Sequence, residues 1–146
     1  MDYTGYKQIH LTDDELTQFY STAILPYEFL ENEYLILVDE NGDAVDYYRF
    51  RNNKLEHVNF PIINTSTVGK IKPLDPYQYC AIDLLQQKDV PIKLIRGVYG
   101  SGKDYLMFNQ ALSLIEKGKF DKLVFIRPNV TLANVPQIGY LPNGIE

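Results

Sequence analysis

Residues 92–127 contain four sequence patterns whose order along the chain strongly limits the fold. The apolar run IKLIR is followed by the glycine-rich loop GVYGSG, by a helical pattern that ends at Gly118, and by a second apolar run, LVFIR. Strand, loop, helix and strand in this order form one βαβ unit, whose two strands are almost always parallel. The sequence therefore predicts an α/β fold for this part of the chain.

A short helix is predicted near the start of the chain. Thr12 followed by Glu15 is typical of a capping box, so LTDDELTQFYS predicts a helix that begins at about Asp13 and stops at Leu25-Pro26. The acidic residues at its start, which include Asp14, lie at the positive end of the helix dipole. We interpret them as capping residues and not as an acid–base pair.

Short β-runs follow this helix. Apolar runs separated by asparagine-containing turns predict a three-stranded meander, with runs at 34–38, at 44–50 and from residue 55 onward. The next segment, INTSTVGKIKPLDP, is polar and contains two prolines, which indicates a boundary near residue 70. Residues 1–70 are therefore predicted to form a small β-rich subdomain, and residues 71–146 an α/β domain.

A second helix is predicted just after this boundary. Asp75 is a good N-cap, and Pro76 suits the first helical position. The pattern of YQYCAIDLLQQ predicts an inward face made by Tyr77, Cys80, Ala81, Leu84 and Leu85. Cys80 is therefore predicted to be a core residue.

Composition and charge exclude several classes of protein. The net charge is −5, and residues 1–70 hold 5 basic and 12 acidic residues, against 9 and 7 in the remainder. An acidic balance argues against unspecific nucleic-acid binding by the whole surface. One cysteine cannot form an internal disulfide, and the two histidines lack zinc-ligand spacing. Without a membrane-length apolar run or a signal peptide, we expect a cytoplasmic protein with no membrane partner.

The glycine loop has the spacing GxxxxGK of a Walker A motif. Glycines let backbone N–H groups surround phosphate oxygens, the following helix presents its positive end, and the lysine reaches the terminal phosphates. These features predict a triphosphate site, whereas the simpler alternative is a glycine-rich turn with a surface lysine. The predicted binding residues are Gly97, Val98, Tyr99, Gly100, Ser101, Gly102, Lys103 and Asp104.

Asp104 departs from the motif, which has Ser or Thr after the lysine. A carboxylate is a good Mg²⁺ ligand, but it places negative charge beside the β and γ phosphates. At a separation of about 4 Å and an effective dielectric constant near 20, this repulsion costs roughly 4 kcal/mol unless the metal lies between the charges. Nucleotide binding is therefore predicted to be strictly Mg²⁺-dependent, with Asp104 as the metal ligand, or else strongly weakened.

The segments IKPLDPYQYCAIDLL, LIRGVYGSGKDYLMFNQAL, KLVFIRP and IGYLPNG, in this order, resemble the ATP-binding domain of PhoH-like proteins, which are RecA-like P-loop ATPases. The likeness covers residues 70–146. Residues 3–70 look more loosely like the segment before the ATPase domain in PhoH proteins that carry a PIN ribonuclease domain. The resemblance implies a partial RecA-like fold, ATP and Mg²⁺ as cofactors, and RNA as a partner of the complete protein.

Two further site residues are implied by the resemblance. Gln78 would read the adenine edge through its amide, which has the donor and acceptor needed for N6 and N7. Arg127 would face the site from the end of a strand. The simpler alternatives are that Gln78 is an ordinary residue on an exposed helix face and that Arg127 is an ordinary arginine at the end of a strand. The basic cluster Lys117, Lys119 and Lys122 is explained by the helix dipole better than by RNA binding.

The family continues past the LPNG-like stretch into a Walker B segment, whose acidic residues hold Mg²⁺ and orient water, and the sequence reaches Glu146 before such a segment. We therefore expect ATP binding without hydrolysis by this chain alone. Unpaired strand edges leave a homo-oligomer as one option.

Two other classes of function stay open at this point. The chain could be a non-catalytic nucleotide-binding or protein-interaction module, or its N-terminal half could be a β-domain with its own ligand. Aromatic residues at alternating strand positions are more often core than docking surface. The residues concerned are Tyr34, Tyr47, Tyr48, Phe50 and Phe60.

Overall fold

The computed structural model describes residues 2–127, which form six strands and three helices. They are β1 (Tyr6–His10), α1 (Asp13–Thr22), β2 (Tyr34–Val38), β3 (Ala44–Arg51), β4 (Lys54–His57), β5 (Ile63–Thr65), β6 (Gly69–Ile71), α2 (Pro76–Gln86) and α3 (Lys103–Glu116). The α/β class and the mostly β N-terminal part are confirmed. None of the helices between residues 2 and 127 combines the length and apolar character needed to cross a bilayer. Pro128 and the IGYLPNG segment lie outside the described residues.

The first four strands form one sheet in the order β1-β2-β3-β4. The pairs β2–β3 and β3–β4 are antiparallel, so the predicted meander is confirmed. Strand β1 adds to it on the other side of β2, in parallel, and α1 connects the two. This strand was not predicted because Ile9 is the one buried residue among its five, too weak an apolar pattern to indicate a strand.

Strand β2 is the centre of the core because all five of its residues are buried. One of its faces packs against α1, through Leu35, Leu37, Leu16 and Phe19. The other face packs against α2, through Tyr34, Ile36, Val38 and Cys80. The sheet therefore lies between α1 and α2, and Cys80 is confirmed as a core residue.

Helix α1 begins with the predicted capping box. The Thr12 backbone N–H donates to Glu15 Oε2 at 2.8 Å, and the Glu15 backbone N–H donates to Thr12 Oγ1 at 3.3 Å. The helix ends at Thr22, because Ala23 adopts a left-handed conformation with φ of 54°. The local sequence signal therefore determines the start of this helix, whereas its end at Thr22 lies slightly before the predicted stop at Leu25-Pro26.

Helix α2 has the predicted N-cap but a different inward face. Asp75 Oδ1 accepts a hydrogen bond of 2.7 Å from the Gln78 backbone N–H. Tyr77, predicted to face inward, is half exposed, whereas Ile82, which was not predicted, is fully buried. The reason is that α2 is covered on two sides. Cys80 faces the sheet, and Ile82 packs with the β5–β6 hairpin and with Leu106 of α3.

The antiparallel hairpin β5–β6 occupies the segment in which the boundary was predicted. Its turn is held by the last residue of α3. Glu116 accepts hydrogen bonds from the Ser66 backbone N–H at 2.9 Å and from Ser66 Oγ at 2.6 Å. The hairpin therefore anchors the helix that follows the glycine loop. The division of the chain at residue 70 stays a prediction.

The two apolar runs around the glycine loop are not strands, which corrects the prediction for residues 92–96 and 123–127. Neither run pairs with a strand among the residues that the structure describes. Leu94 is 77% exposed and Ile126 is 86% exposed. Strands of a parallel sheet are stable when neighbouring strands pair with them and helices cover both faces, and within residues 2–127 no strand pairs with either run. The predicted helix between the two runs is confirmed as α3.

Candidate functional site

The glycine loop turns sharply just before α3. The Ser101 backbone N–H donates to the Val98 carbonyl oxygen at 3.3 Å, which closes a turn. Gly100 and Gly102 have φ angles of 79° and 81°, a left-handed conformation that favours glycine at both positions. Gly102 is also the N-cap of α3 and provides no side-chain cap. The first amides of α3 are therefore open to an anion, and the helix dipole favours negative charge at this point.

Two glycines of the loop lie close to neighbouring side chains. A Cβ atom on Gly97 would lie 2.7 Å from Ser101 Oγ, so the serine side chain would have to move. A Cβ atom on Gly102 would lie 3.2 Å from Gln78 Nε2. The glycine pattern of the motif therefore agrees with the geometry of the loop that contains it.

Lys103 folds back over the loop. Its Nζ donates to the Val98 carbonyl oxygen at 3.2 Å, and its side chain is half-buried. The ammonium group therefore lies against the backbone of the loop, at an exposed position. This is the arrangement in which a lysine can reach a phosphate held by the loop.

Gln78 joins the loop to α2. Its Oε1 accepts a hydrogen bond of 3.0 Å from the Leu74 backbone N–H, and its Nε2 donates to the Ser101 carbonyl oxygen at 3.1 Å. The amide therefore holds the loop against the start of α2. One amide hydrogen and one lone pair on Oε1 stay free of these contacts.

Other predicted site residues are exposed. Val98 and Tyr99 are largely exposed, and Asp104 lies exposed in the first turn of α3. Among residues 2–127 no hydrogen bond or ion pair of the Asp104 side chain occurs, and none occurs for Arg127. The structure thus brings Gln78 to the loop, but it does not bring Arg127 to it through any such contact.

An open cleft of about 840 Å³ lies beside the loop. On one side it is lined by Arg96, Gly97, Val98 and Lys103. On the other side it is lined by tyrosines from β1, from the segment before it and from α2, namely Tyr3, Tyr6 and Tyr77. Sequence reasoning missed these tyrosines because about seventy residues separate β1 from α2. The one signal was the position of Tyr77 directly before Gln78.

The Tyr6 hydroxyl in the cleft stays protonated at ordinary pH. Burial raises the pKa of the Tyr6 hydroxyl, and the neighbouring Tyr77 adds to this shift. The cations Arg96 and Lys103 both lie on the loop side. The cleft therefore has a positively charged end and an uncharged aromatic end.

A buried charge network connects the sheet to the helix that holds the loop. Asp83 of α2 accepts hydrogen bonds at Oδ2 from Arg49 at 2.8 Å and from the Tyr34 hydroxyl at 2.5 Å. Burial, and then the Asp83 carboxylate, raise the pKa of Tyr34, so this hydroxyl stays protonated and can donate. The position of α2, and with it of Gln78, therefore depends on contacts with β2 and β3.

Comparison with known proteins agrees with this geometry. A family model described as PhoH-like protein matches residues 70–146. Over 99% of its length the chain is 26% identical to Protein PhoH2 of Bacillus subtilis (strain 168), and it spans 34% of that protein. No solved structure matches the chain significantly.

The glycine loop, its lysine and the helix that follows define an α/β protein of the P-loop type. The chain belongs to the PhoH-like family, because the family model matches more than half of it. Membership implies a P-loop ATPase-type domain, a class that generally uses ATP and Mg²⁺. The resemblance noted in the sequence is thereby confirmed.

Proposed function

We propose that the chain binds the triphosphate of ATP, together with Mg²⁺, at the glycine loop and the first turn of α3. The observation that carries this proposal is the position of Lys103, whose Nζ lies 3.2 Å from the Val98 carbonyl oxygen and beside the cleft. A compact ammonium held against the loop is a point charge in the place where the phosphates of a bound nucleotide would lie. Membership of a P-loop ATPase-type family supports the same assignment.

The chemistry of the donors supports a metal ion shared with the nucleotide. Among residues 2–127 no group of three or more metal-binding side chains occurs. Mg²⁺ in phosphate sites typically uses one or two carboxylates, substrate phosphates and water. Asp104 fits this role as an exposed carboxylate directly after Lys103. When bound, the ion would supply positive charge that offsets the repulsion between the Asp104 carboxylate and the phosphates.

Substitution of the loop lysine tests the proposal. We expect Lys103→Ala to weaken binding of a fluorescent ATP analogue by about tenfold or more, because it removes charge-assisted hydrogen bonds to phosphate. Lys117→Ala, at the other end of α3, is the matched control and should bind like the wild type. Equal affinity of Lys103→Ala and wild type would reject the site.

Titration of ATP with and without Mg²⁺ tests the role of Asp104. Without metal the carboxylate repels the phosphates, so we expect no measurable binding in EDTA. Asp104→Ser, which restores the usual residue of the motif, should bind ATP in EDTA better than the wild type does. Tight binding of ATP by the wild type in EDTA would contradict the assignment of Asp104 as the metal ligand.

We also propose that Gln78 and Arg127 contact the bound nucleotide. Gln78 would contact the adenine edge with the amide hydrogen and lone pair that its contacts with the loop leave free. Arg127 would face the nucleotide, as the family resemblance implies. A cytoplasmic location and a homo-oligomer are likewise parts of the proposal.

Hydrolysis of ATP and association with RNA are proposed for a longer protein, since the chain spans 34% of its relative. The second candidate is a module that binds nucleotide or protein without catalysis, and the exposed Asp104 in place of Ser or Thr favours it. ATP turnover by the longer protein, abolished there by Lys103→Ala, would eliminate this second candidate.

A further inference from the structure

Two tyrosines that line the same cleft as the glycine loop form a pair. Tyr6 of β1 and Tyr77 of α2 have ring centroids 5.1 Å apart and planes inclined by 58°. Both line the cleft, and they are 42% and 51% exposed. Aromatic side chains that line a concave surface and still expose this much ring are available to a planar ligand.

This tyrosine pair is mechanically connected to the phosphate side of the cleft. Tyr77 directly precedes Gln78, whose Nε2 donates to the Ser101 carbonyl oxygen of the loop at 3.1 Å. The Tyr77 hydroxyl donates to Gln8 Oε1 at 3.4 Å, which joins α2 to β1. Strand β1 is in turn paired along its whole length with the buried β2. The tyrosine pair and the loop therefore belong to one continuous framework.

The chemistry of the cleft matches the two ends of a nucleotide. Arg96 and Lys103 lie on the loop side, and neutral aromatic rings lie on the other. A volume of about 840 Å³ lies within the range of roughly 300–1,000 Å³ that is typical of small-ligand sites. A polyphosphate alone would use the charged end and leave the aromatic end without a partner.

We propose that the Tyr6–Tyr77 pair stacks the base of the nucleotide whose phosphates the glycine loop binds. This inference rests on the proposed function and extends it, because it assigns the N-terminal sheet a part in the nucleotide site. Stacking uses the face of the base, so it favours nucleotides over inorganic polyphosphate and does not by itself select one base. Selection would come from contacts with the base edge, such as those proposed for Gln78.

Comparison of ATP with inorganic tripolyphosphate tests the inference. We expect Tyr6→Ala to weaken Mg²⁺–ATP binding by about tenfold, as loss of one stacking ring typically does, and to leave Mg²⁺–tripolyphosphate binding unchanged. Tyr6→Phe retains the ring and should bind ATP like the wild type. Tyr27→Ala is the matched control, because Tyr27 is 50% exposed and does not line the cleft.

The outcomes separate this inference from the proposed function. If the wild type binds neither ligand, the phosphate site itself is absent. If it binds both and Tyr6→Ala weakens neither, or weakens both equally, stacking is rejected while the loop site stands. Should Tyr6→Ala lose its cooperative unfolding transition, Tyr77→Leu is measured in its place, and the same selective loss of ATP affinity is required.

Discussion

Two apolar runs of five residues, YLILV in β2 and LVFIR at 123–127, have similar composition and opposite structures. Every residue of the first is at most 3% exposed, whereas Val124, Phe125 and Ile126 of the second are 63% exposed or more. Strand β2 has hydrogen-bonded neighbours on both edges and a helix on each face. Within the described part of the chain, residues 123–127 pair with no strand, and Phe125 contacts α3 only at the edge of the Phe108 ring. An apolar pattern thus marks a possible strand, and neighbouring elements make it one.

The free energies explain this difference. Burying one large aliphatic side chain contributes about 1.5–3 kcal/mol, whereas ordering the backbone of one residue costs about 1–2 kcal/mol. The cost is therefore offset in β2, where each residue is buried. It is not offset in a run whose side chains stay in water, because no burial accompanies the ordering.

The most direct test of this comparison truncates one leucine in the buried strand β2 and one leucine in an exposed apolar run. We expect Leu37→Ala to lower the free energy of unfolding by about 3 kcal/mol, because it leaves a cavity in a fully buried strand. Leu94→Ala should change it by about 0.5 kcal/mol or less, since Leu94 is exposed. Denaturant unfolding measures both values. Equal losses would mean that the run around Leu94 is packed as tightly as β2.

A smaller loss of stability is expected from the contact between the sheet and α2, the helix that carries Gln78. Asp83→Ala leaves the Arg49 guanidinium without its carboxylate partner on α2, and the free energy of unfolding should fall by about 2 kcal/mol. Because α2 carries Gln78, the variant should also bind ATP more weakly. Asp121→Ala, at an exposed position, is the control. A variant at Asp83 as stable as this control would show that the ion pair does not hold α2 to the sheet.

The smallest predicted effect is a loss of stability in alkali. Burial raises the pKa of the Cys80 thiol in the folded protein to about 12, from an ordinary value of 9.0. Above pH 9 the thiol therefore ionises in the unfolded chain first, so stability is constant below pH 9 and falls between pH 9 and pH 12. From pH 9 to pH 10 the loss should be about 1 kcal/mol. Unfolding curves over this range measure it, and Cys80→Ala should show a shallower decline. If the free energy of unfolding fell as steeply with pH in Cys80→Ala as in the wild type, a group other than Cys80 would cause the loss.

Elements with strong local signals could be predicted from the sequence. The capping box of Thr12 and Glu15, the Asp75–Pro76 start of α2 and the end of α3 at Gly118 depend on residues within one or two turns. Strand β1 and the hairpin β5–β6 could not be predicted, because they are short, largely polar and stabilised by partners distant in sequence. The inward face of α2 was mistaken at Tyr77 for the same reason.

The candidate site divides in the same way. The motif from Gly97 to Lys103 predicted a tight turn and a lysine at a helix start, and both are present. The contact of Gln78 with the loop, and the pairing of Tyr6 with Tyr77 across the cleft, were not visible in the sequence. Each contact joins residues more than twenty positions apart in the sequence, and a local sequence pattern cannot predict such a contact.

The sequence by itself determined the family, the starts of the capped helices and the tight glycine loop, because backbone conformation and hydrogen bonding over a few residues depend on the residues themselves. The tertiary structure alone decided which apolar runs became strands and which side chains came to face the loop. Burial and strand pairing are relations between distant segments, and their free energy is gained only when those segments meet.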